Sequence, residues 1–563
     1  MKIVIIGGVA GGATAAARIR RLDEYAEITV FERSGYVSYA NCGLPYYIGD
    51  VITDPEKLTL QTPENFFKRF RINMKIHHEV ISIHSDRKTV TVKNLANDEI
   101  FEENYDKLIL SPGAKPTQPK LQGAGIDKLF TLRTVEDTFR IKEYINKNHP
   151  KSAILAGGGF IGLELAENLR ELGMDVTIVQ RPKQLMNPFD PDMASMIHNE
   201  MRKHGIKLVL GYTVEGFREK DNGVEILLKD NPSLQADMVV LAIGVTPDTA
   251  LAKEAGLELG IKGSIVVNDR METSVPDIYA AGDAVQVKHY VTGDDALISL
   301  AGPANKQGRI IADNICGGDS HYLGSQGSSV IKVFDMTAAT TGINETNAKK
   351  SGLEVDTVIL SPMSHAGYYP GGKVMTMKVV FEKETYRLLG AQIIGYEGVD
   401  KRIDVLATAI HAGLKATQLK DLDLAYAPPY SSAKDPVNMA GFMIDNIAKG
   451  TLKQWHLEDM DKISRDKSVV LLDVRTVGEF NRGHMDGFKN IPVDELRERI
   501  NEIEKGKPVY LICQSGLRSY IASRILEGNG YETYNFSGGF RFYDAVVNDR
   551  ALIEKAYACG MDY

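Results

Sequence analysis

Cys42 stands in the run Ser38-Tyr39-Ala40-Asn41-Cys42-Gly43-Leu44-Pro45, and the nearest other cysteine in the chain is Cys316. A thiolate attacks sulfur, and its reactivity depends on how its surroundings set the thiol pKa. Disulfide chemistry needs a second sulfur. With none nearby in sequence, a redox-active Cys42 would have as its natural partner a thiol from outside the chain. Pro45 is a residue type favoured in a first helical turn, so a helix start is expected just after Cys42. That helix start, or a nearby cation, is expected to lower the thiol pKa. Polar Ser38 and Asn41, with the glycine and proline beyond, argue against an inert core cysteine. A second cysteine, Cys513, opens Cys513-Gln514-Ser515-Gly516-Leu517-Arg518-Ser519, between an expected strand, Val509–Ile512, and an expected helix, Arg518–Glu527. Such a loop offers backbone N–H groups and a helix N-terminus to a sulfur anion. It would stabilise a persulfide, with Arg518 adding charge at the rim. The Cys-x4-Arg spacing by itself serves either phosphate-ester or sulfur chemistry.

Two glycine-rich turns carry a different signal. Gly7-Gly8-Val9-Ala10-Gly11-Gly12 follows an apolar strand and precedes a helix. Its glycines permit close backbone approach to a pyrophosphate, which the helix N-terminus favours. Val9 occupies the middle glycine position, but Glu32, twenty residues past Gly12, ends the next strand where a carboxylate can accept from ribose hydroxyls. Gly157-Gly158-Gly159-Phe160-Ile161-Gly162 fits the full pattern, and Gln180 and Arg181 stand at the corresponding strand end. An acid there favours NAD and an arginine admits the extra phosphate of NADP, so this pair leaves NADH and NADPH both open.

These residues need two βαβ units to position them. Lys2–Ile6, a helix Ala13–Leu22 and Ile28–Phe31 form the first. Ser152–Ala156, Leu163–Leu172 and Asp175–Val179 form the second. Asp237–Ile243 and Thr273–Asp283 read as strands returning to the first unit. From 325 to 447 the pattern turns to mixed strands and helices. Residues 445–462 are polar and read as a linker, and a compact α/β module follows. The length of 563 residues suggests roughly three to five domains. The apolar and charged fractions, 43% and 25%, are ordinary for a globular protein, and a net charge of −8 gives no reason to expect nucleic acid. Four scattered cysteines make neither a disulfide scaffold nor a zinc site, which points to a reducing, cytoplasmic setting. Ile3–Ile6 is too short an apolar run for a signal peptide, and nothing approaches a membrane span.

Over roughly residues 1–445 the chain resembles the FAD-dependent pyridine nucleotide-disulfide oxidoreductases. The marks are Gly7–Gly12 with Glu32, the run Tyr105-Asp106-Lys107-Leu108-Ile109-Leu110-Ser111-Pro112-Gly113, and Thr273–Asp283. The resemblance implies an α/β fold with two Rossmann-like dinucleotide-binding domains, an α+β dimerisation domain and a C-terminal α/β rhodanese domain. The expected boundaries are 1–115 with 245–322 for FAD, 116–244 for NAD(P)H, 323–445 for dimerisation, 446–463 for the linker and 464–556 for the rhodanese module. It implies FAD contacts at Gly7, Gly8, Ala10, Gly11, Glu32, Arg33, Val80, Ser111, Gly113, Arg133, Gly282, Asp283 and Ala301. NAD(P)H contacts are implied at Gly157, Gly159, Phe160, Ile161, Gly162, Gln180, Arg181 and Gly244.

Within that family, Ser38–Cys42 is similar to the single-cysteine motif of coenzyme A-disulfide reductases. Thr14, Arg18 and Arg21 share a helix face by spacing. The resemblance makes them, with Ser38, Asn41, Asn305 and Lys434, a coenzyme A site. It also implies that Tyr368 and Tyr426 reach a partner's cysteine across a homodimer. The C-terminal module resembles a rhodanese, through Leu472-Asp473-Val474-Arg475, Glu479-Phe480, Gly483-His484 and Gly538-Gly539. The resemblance as a whole implies an enzyme that reduces coenzyme A persulfide, polysulfide or coenzyme A disulfide with NAD(P)H. Cys42 would be its redox cysteine and Cys513 its sulfur carrier, and its partners would be small thiols, persulfides and disulfides. Two alternatives stand beside it. One is an NADH peroxidase or oxidase that cycles Cys42 through sulfenic acid. Such enzymes carry a histidine in the first glycine turn, where this chain has Ala10. The other is a non-catalytic thiol redox sensor.

Overall fold

The computed structural model describes residues 1–117, 121–220 and 223–558. Cys559 lies outside the described residues. The chain forms two compact units, Met1–Lys183 with Gly205–Gly327, and Gln184–His204 with the chain from Ser328 onward.

In the first unit, Lys2–Ile6 is a near-continuous apolar run, as a parallel strand covered on both faces requires; Ile3, Val4 and Ile5 are fully buried. It centres a parallel sheet in the order Ile278–Ala280, Lys107–Leu110, Lys2–Ile6, Glu27–Phe31, Asn73–Lys75. A second parallel sheet runs Lys207–Leu210, Asp175–Gln180, Ser152–Ala156, Met238–Leu241, Leu129–Thr131. Met238–Leu241 therefore pairs with Ser152–Ala156, not with the first sheet as the sequence reading had it. Of the two strands expected to return, only Ile278–Ala280 joins the first sheet. An apolar strand carries no mark of which sheet it enters. Both glycine-turn helices start earlier than expected, at Ala10 and Phe160, because the turn glycines themselves adopt helical geometry. Helix Ala10–Leu22 lies close against Ala301–Ile315. A side chain at Gly308 would stand 2.4 Å from the Gly11 carbonyl oxygen, so only glycine admits this approach.

The second unit holds an antiparallel sheet, Ser329–Val333, Met336–Gly342, Leu388–Gly395, Met375–Glu382, Val355–Leu360. It also holds a parallel sheet, Gln454–Trp455, Thr533–Phe536, Val509–Ile512, Val470–Asp473, Lys489–Asn490. The expected linker 446–463 is folded. Gln454–Trp455 is an edge strand of this parallel sheet, and Met460–Ile463 is a short helix. Trp455 explains why: it is buried, packs on Phe536 with ring centroids 4.5 Å apart, and donates its Nε1–H to Leu511 O. One aromatic anchor outweighs the polar composition around it. Helix Pro191–Lys203 also groups with this unit, although its sequence falls inside the expected 116–244 domain. It meets the terminal helix Gly539–Ala558, where buried Asp549 accepts from His198 Nδ1 at 2.8 Å and pairs with Arg202. No helix among the described residues is long and apolar enough to cross a membrane.

Candidate functional site

The first glycine turn is built by steric exclusion. Gly7 has φ +98°, and a Cβ there would fall 2.0 Å from Ser111 O. A Cβ at Gly12 would fall 2.0 Å from Gly7 O, and one at Gly11 would crowd Ser111 Oγ at 2.8 Å. The tight turn brings strand end and helix start together at a cleft of about 820 Å³. Gly7, Glu32, Arg33, Val80, Ser111, Gly113 and Arg133 all line it. The other expected FAD residues, Gly8, Ala10, Gly11, Gly282, Asp283 and Ala301, are not part of its wall. Gly8 and Asp283 bond to residues of the wall. Asp283 pairs with Arg133 at 2.6 Å, Gly282 N–H donates to Gln307 on helix Ala301–Ile315, and Gly8 N–H donates to Glu32 at 2.8 Å. Glu32 also accepts from Ser34 N–H; burial pushes its carboxyl up, against the pull of these two N–H groups. The wall includes Asn41, whose Oδ1 is buried with no hydrogen-bond partner. Size, acid and orphaned acceptor fit a flavin dinucleotide: Gly7, Glu32, Ser111 and Arg133 could hold it, with Asp283 behind Arg133.

Cys42 falls in a short 3-10 turn, Asn41–Gly43, that runs directly into helix Leu44–Ile48 with Pro45 in its first turn. The helix start is where the sequence puts it. The thiol pKa is not. Cys42 is exposed as a residue, yet protein crowds its sulfur, and that desolvation pushes the thiol up. The Glu164 carboxyl pushes the same way, Arg133 pulls down, and Asp283 adds a further push. A helix of five residues, Leu44–Ile48, does not offset this. Cys42 thus shares a neighbourhood with the Arg133–Asp283 pair. Glu164 itself is pushed up to about 7, first by burial and then by Glu167. The sequence reading missed Glu164, because its helix enters from the second glycine turn, far away in the chain.

That second turn repeats the first. Gly157 has φ +120° and a Cβ there would meet Ala242 O at 2.2 Å; a Cβ at Gly162 would meet Gly157 O at 2.1 Å. Gly159 caps helix Phe160–Glu171, which begins Phe160-Ile161, and has open space beside it. Gln180 Oε1 accepts from Gly158 N–H at 3.0 Å, the counterpart of the Glu32–Gly8 bond, so an amide stands where the first unit has an acid. Arg181 is exposed, and Gly244, with φ +108°, follows strand Met238–Leu241.

The expected coenzyme A residues separate into engaged and free. Thr14 Oγ1 donates to Asn305 Oδ1 at 2.8 Å, bringing two of them together. Arg18 is already held by Asp313 at 2.8 Å, whereas Arg21 is exposed. Ser38 has φ +48° and donates its N–H to Gly8 O, which ties the Cys42 loop to the first glycine turn. Lys434, in the second unit, is exposed. There Tyr368 and Tyr426 hydrogen-bond through their hydroxyls at 2.8 Å, and both are exposed. Buried Arg402 holds the loops that carry them, donating to Ser364 O, Tyr430 O and Asp435. Arg402 was invisible in sequence, as its partners are distant carbonyls.

Cys513 is buried between strand Val509–Ile512 and helix Leu517–Glu527. Its Sγ accepts from Gly516 N–H at 3.1 Å and from Ser519 Oγ at 3.2 Å. The cradle is thus one backbone donor and one hydroxyl, not backbone alone. Gly516 has φ +99°, and the Gly538-Gly539 turn abuts the loop so closely that a Cβ at Gly539 would lie 2.7 Å from Ser515 N. Arg518 is not a free rim cation. Its two terminal nitrogens each donate to a carboxylate oxygen of Glu479 at 2.7 Å.

Comparison with known proteins places this geometry among relatives. Residues 1–308 match the pyridine nucleotide-disulphide oxidoreductase model, 328–436 its dimerisation domain, and 456–545 the rhodanese-like domain. A coenzyme A disulfide reductase of Staphylococcus aureus (strain JH9) is 40% identical over 443 residues, 78% of this chain and 99% of that protein. The reduced CoADR-RHD of Bacillus anthracis superposes with a TM-score of 0.95 at 48% identity, covering 98% of each chain. A NAD-dependent persulfide reductase from A. fulgidus gives 0.90 at 39% identity, covering 96% of this chain and 100% of that one.

Proposed function

Because the chain belongs to the pyridine nucleotide-disulphide oxidoreductase family, we propose that it spends NAD(P)H on a sulfur–sulfur bond of a small thiol carrier through the single cysteine Cys42. The carrier is coenzyme A, as its persulfide or disulfide, and Cys513 holds sulfane sulfur for delivery. One observation carries this reading: Cys42, next to the cleft residue Asn41, feels the charges of the Arg133–Asp283 pair, and the other described cysteines, Cys316 and Cys513, form no disulfide with it, which supports a partner sulfur from outside the chain. The names of the relatives support the choice of coenzyme A and of persulfide.

FAD bound in the cleft would supply the two-electron relay between NAD(P)H and sulfur. The protein's own part begins with deprotonation of Cys42. Its thiolate attacks one sulfur of the carrier, the S–S bond breaks, and the departing thiolate takes the electron pair and a proton. Overall, R–S–SH, NAD(P)H and a proton give R–SH, hydrogen sulfide and NAD(P)+. Which sulfur is attacked decides whether Cys42 is left as a persulfide or a mixed disulfide. Thr14, Asn305 and exposed Arg21 would orient the carrier. Phenols such as Tyr368 and Tyr426 are neutral donors able to hand a proton to a leaving thiolate. The family's dimerisation domain, matched at 328–436, supports a homodimer.

The test is Cys42→Ser. NAD(P)H-dependent sulfide release should fall at least ~1,000-fold, as removing a covalent nucleophile requires. The variant should retain FAD, and Cys513 should still accept sulfur. Sulfide release at the wild-type rate would refute the proposal.

A further inference from the structure

We propose that Glu479 sets the donor specificity of the Cys513 loop: by engaging both arms of Arg518 it excludes dianionic sulfur donors such as thiosulfate and leaves monoanionic persulfides as substrates. This rests on the reading of Cys513 as a sulfane-sulfur carrier.

The charges around the sulfur are paired off. Arg518 is held bidentately by Glu479 through both terminal nitrogens, so its end-on fork is taken and its charge is offset before a donor anion arrives. Arg475 is buried, pairs with both oxygens of Asp473, and stacks on the Phe540 ring at 3.8 Å. Arg541, just past the Gly538-Gly539 turn, is exposed, where solvent and salt screen its charge. Two carboxylates thus balance two arginines, and the Gly516 N–H and the Ser519 hydroxyl are the donors within hydrogen-bond reach of the sulfur. Glu479 is fixed in its own right, because Thr476 N–H and Oγ1–H both donate to its carboxylate in a capping box at the start of helix Val477–Arg482. Its carboxyl is held down at about 2, chiefly by the Arg518 hydrogen bonds, so the pair persists across the working pH range.

The transfer itself is balanced. The Cys513 thiolate attacks the terminal sulfur of R–S–S⁻, the donor S–S bond breaks, a new S–S bond forms at Cys513, and R–S⁻ leaves with the electron pair. With thiosulfate the leaving group is sulfite. Each donor is an anion approaching an anionic sulfur, and thiosulfate brings twice the charge to a loop whose arginine is already spent. Glu479 is a positioning residue that acts through Arg518.

The experiment uses the full-length protein and two donors, thiosulfate and the persulfide of 2-mercaptoethanol, and follows sulfur transfer to cyanide as thiocyanate. Wild type should favour the persulfide by at least ~10-fold in kcat/KM, and sulfate should not compete with it. Glu479→Gln keeps the capping box, since glutamine serves there too. It should raise kcat/KM for thiosulfate ~10-fold, make sulfate a competitor, and change persulfide use by less than ~3-fold. The double variant Glu479→Gln/Arg518→Gln should lose that gain. Equal use of both donors by wild type, sulfate inhibition of wild type, or parallel changes for both donors in Glu479→Gln would each overturn the assignment. The sulfate measurement needs only wild type and stands even if the variant misfolds. Intact-mass analysis separates the two layers: no added sulfur on Cys513 from either donor would refute the carrier reading, whereas sulfur added equally from both refutes the role of Glu479 alone.

Discussion

At the scale of single residues, the unexpected neighbour is Glu164. Its carboxyl titrates near 7, and its charge pushes the Cys42 thiol up. As pH rises through 7, Glu164 gains its charge and makes the thiolate harder to form. Glu164→Gln removes that charge and should lower the Cys42 pKa. Alkylation of Cys42 by iodoacetamide at pH 8 should then be ~3–10-fold faster, and the inflection near pH 7 should vanish. Superimposable alkylation profiles for variant and wild type would contradict this. Other residues were readable in sequence for a clear reason. Gly7, Gly12, Gly157 and Gly162 admit no other side chain, so their spacing survives as a pattern. Glu164, Glu479 toward Arg518, and Arg402 act across long stretches of chain and leave no local mark. The lowered thiol pKa expected of Cys42 failed because a helix start was weighed without the burial of the sulfur, first, and the acids that folding brings near it.

At the scale of elements, strands and helices are set mostly by local patterning, and their partners are not. The strands Lys2–Ile6, Ser152–Ala156 and Val509–Ile512 fall where their apolar runs put them. Met238–Leu241 was assigned to the wrong sheet, since parallel pairing is decided by crossover geometry rather than by the strand's residues. Buried charge shows the same limit. Lys378 on strand Met375–Glu382 is buried with Asp192 at 2.8 Å, Glu345 at 2.7 Å and Asp190 at 3.2 Å. Burial opposes its charge, but the three acids outweigh that and raise its pKa. The cation thereby ties the start of helix Pro191–Lys203 and the helix Glu345–Lys350 to the antiparallel sheet. Lys378→Met would remove the cation the three acids share, leaving Glu345 to Lys349 and Asp190 to the neutral donors of Thr346 and Gln392, and should cost about 3–5 kcal/mol. Urea unfolding would measure it, and a loss under ~1 kcal/mol would show that the acids find other partners.

At the scale of the whole molecule, one chain carries two thiol sites of opposite design. Cys42 is exposed beside a dinucleotide cleft. Cys513 is buried in a loop whose charges are balanced. The domain order was legible because each module bears its own motif. The segment 446–463 was not, because Trp455, buried with Leu452 and Ile463, anchors it in the parallel sheet against its polar composition. The central claim is that the missing partner of Cys42 is a thiol from outside the chain. Mass spectrometry of the native protein, denatured without reductant and digested, reads this directly. The account predicts a disulfide between Cys42 and coenzyme A, removed by NAD(P)H before denaturation. A disulfide from Cys42 to another cysteine of the chain, or Cys42 found only as a sulfur oxyacid, would contradict it.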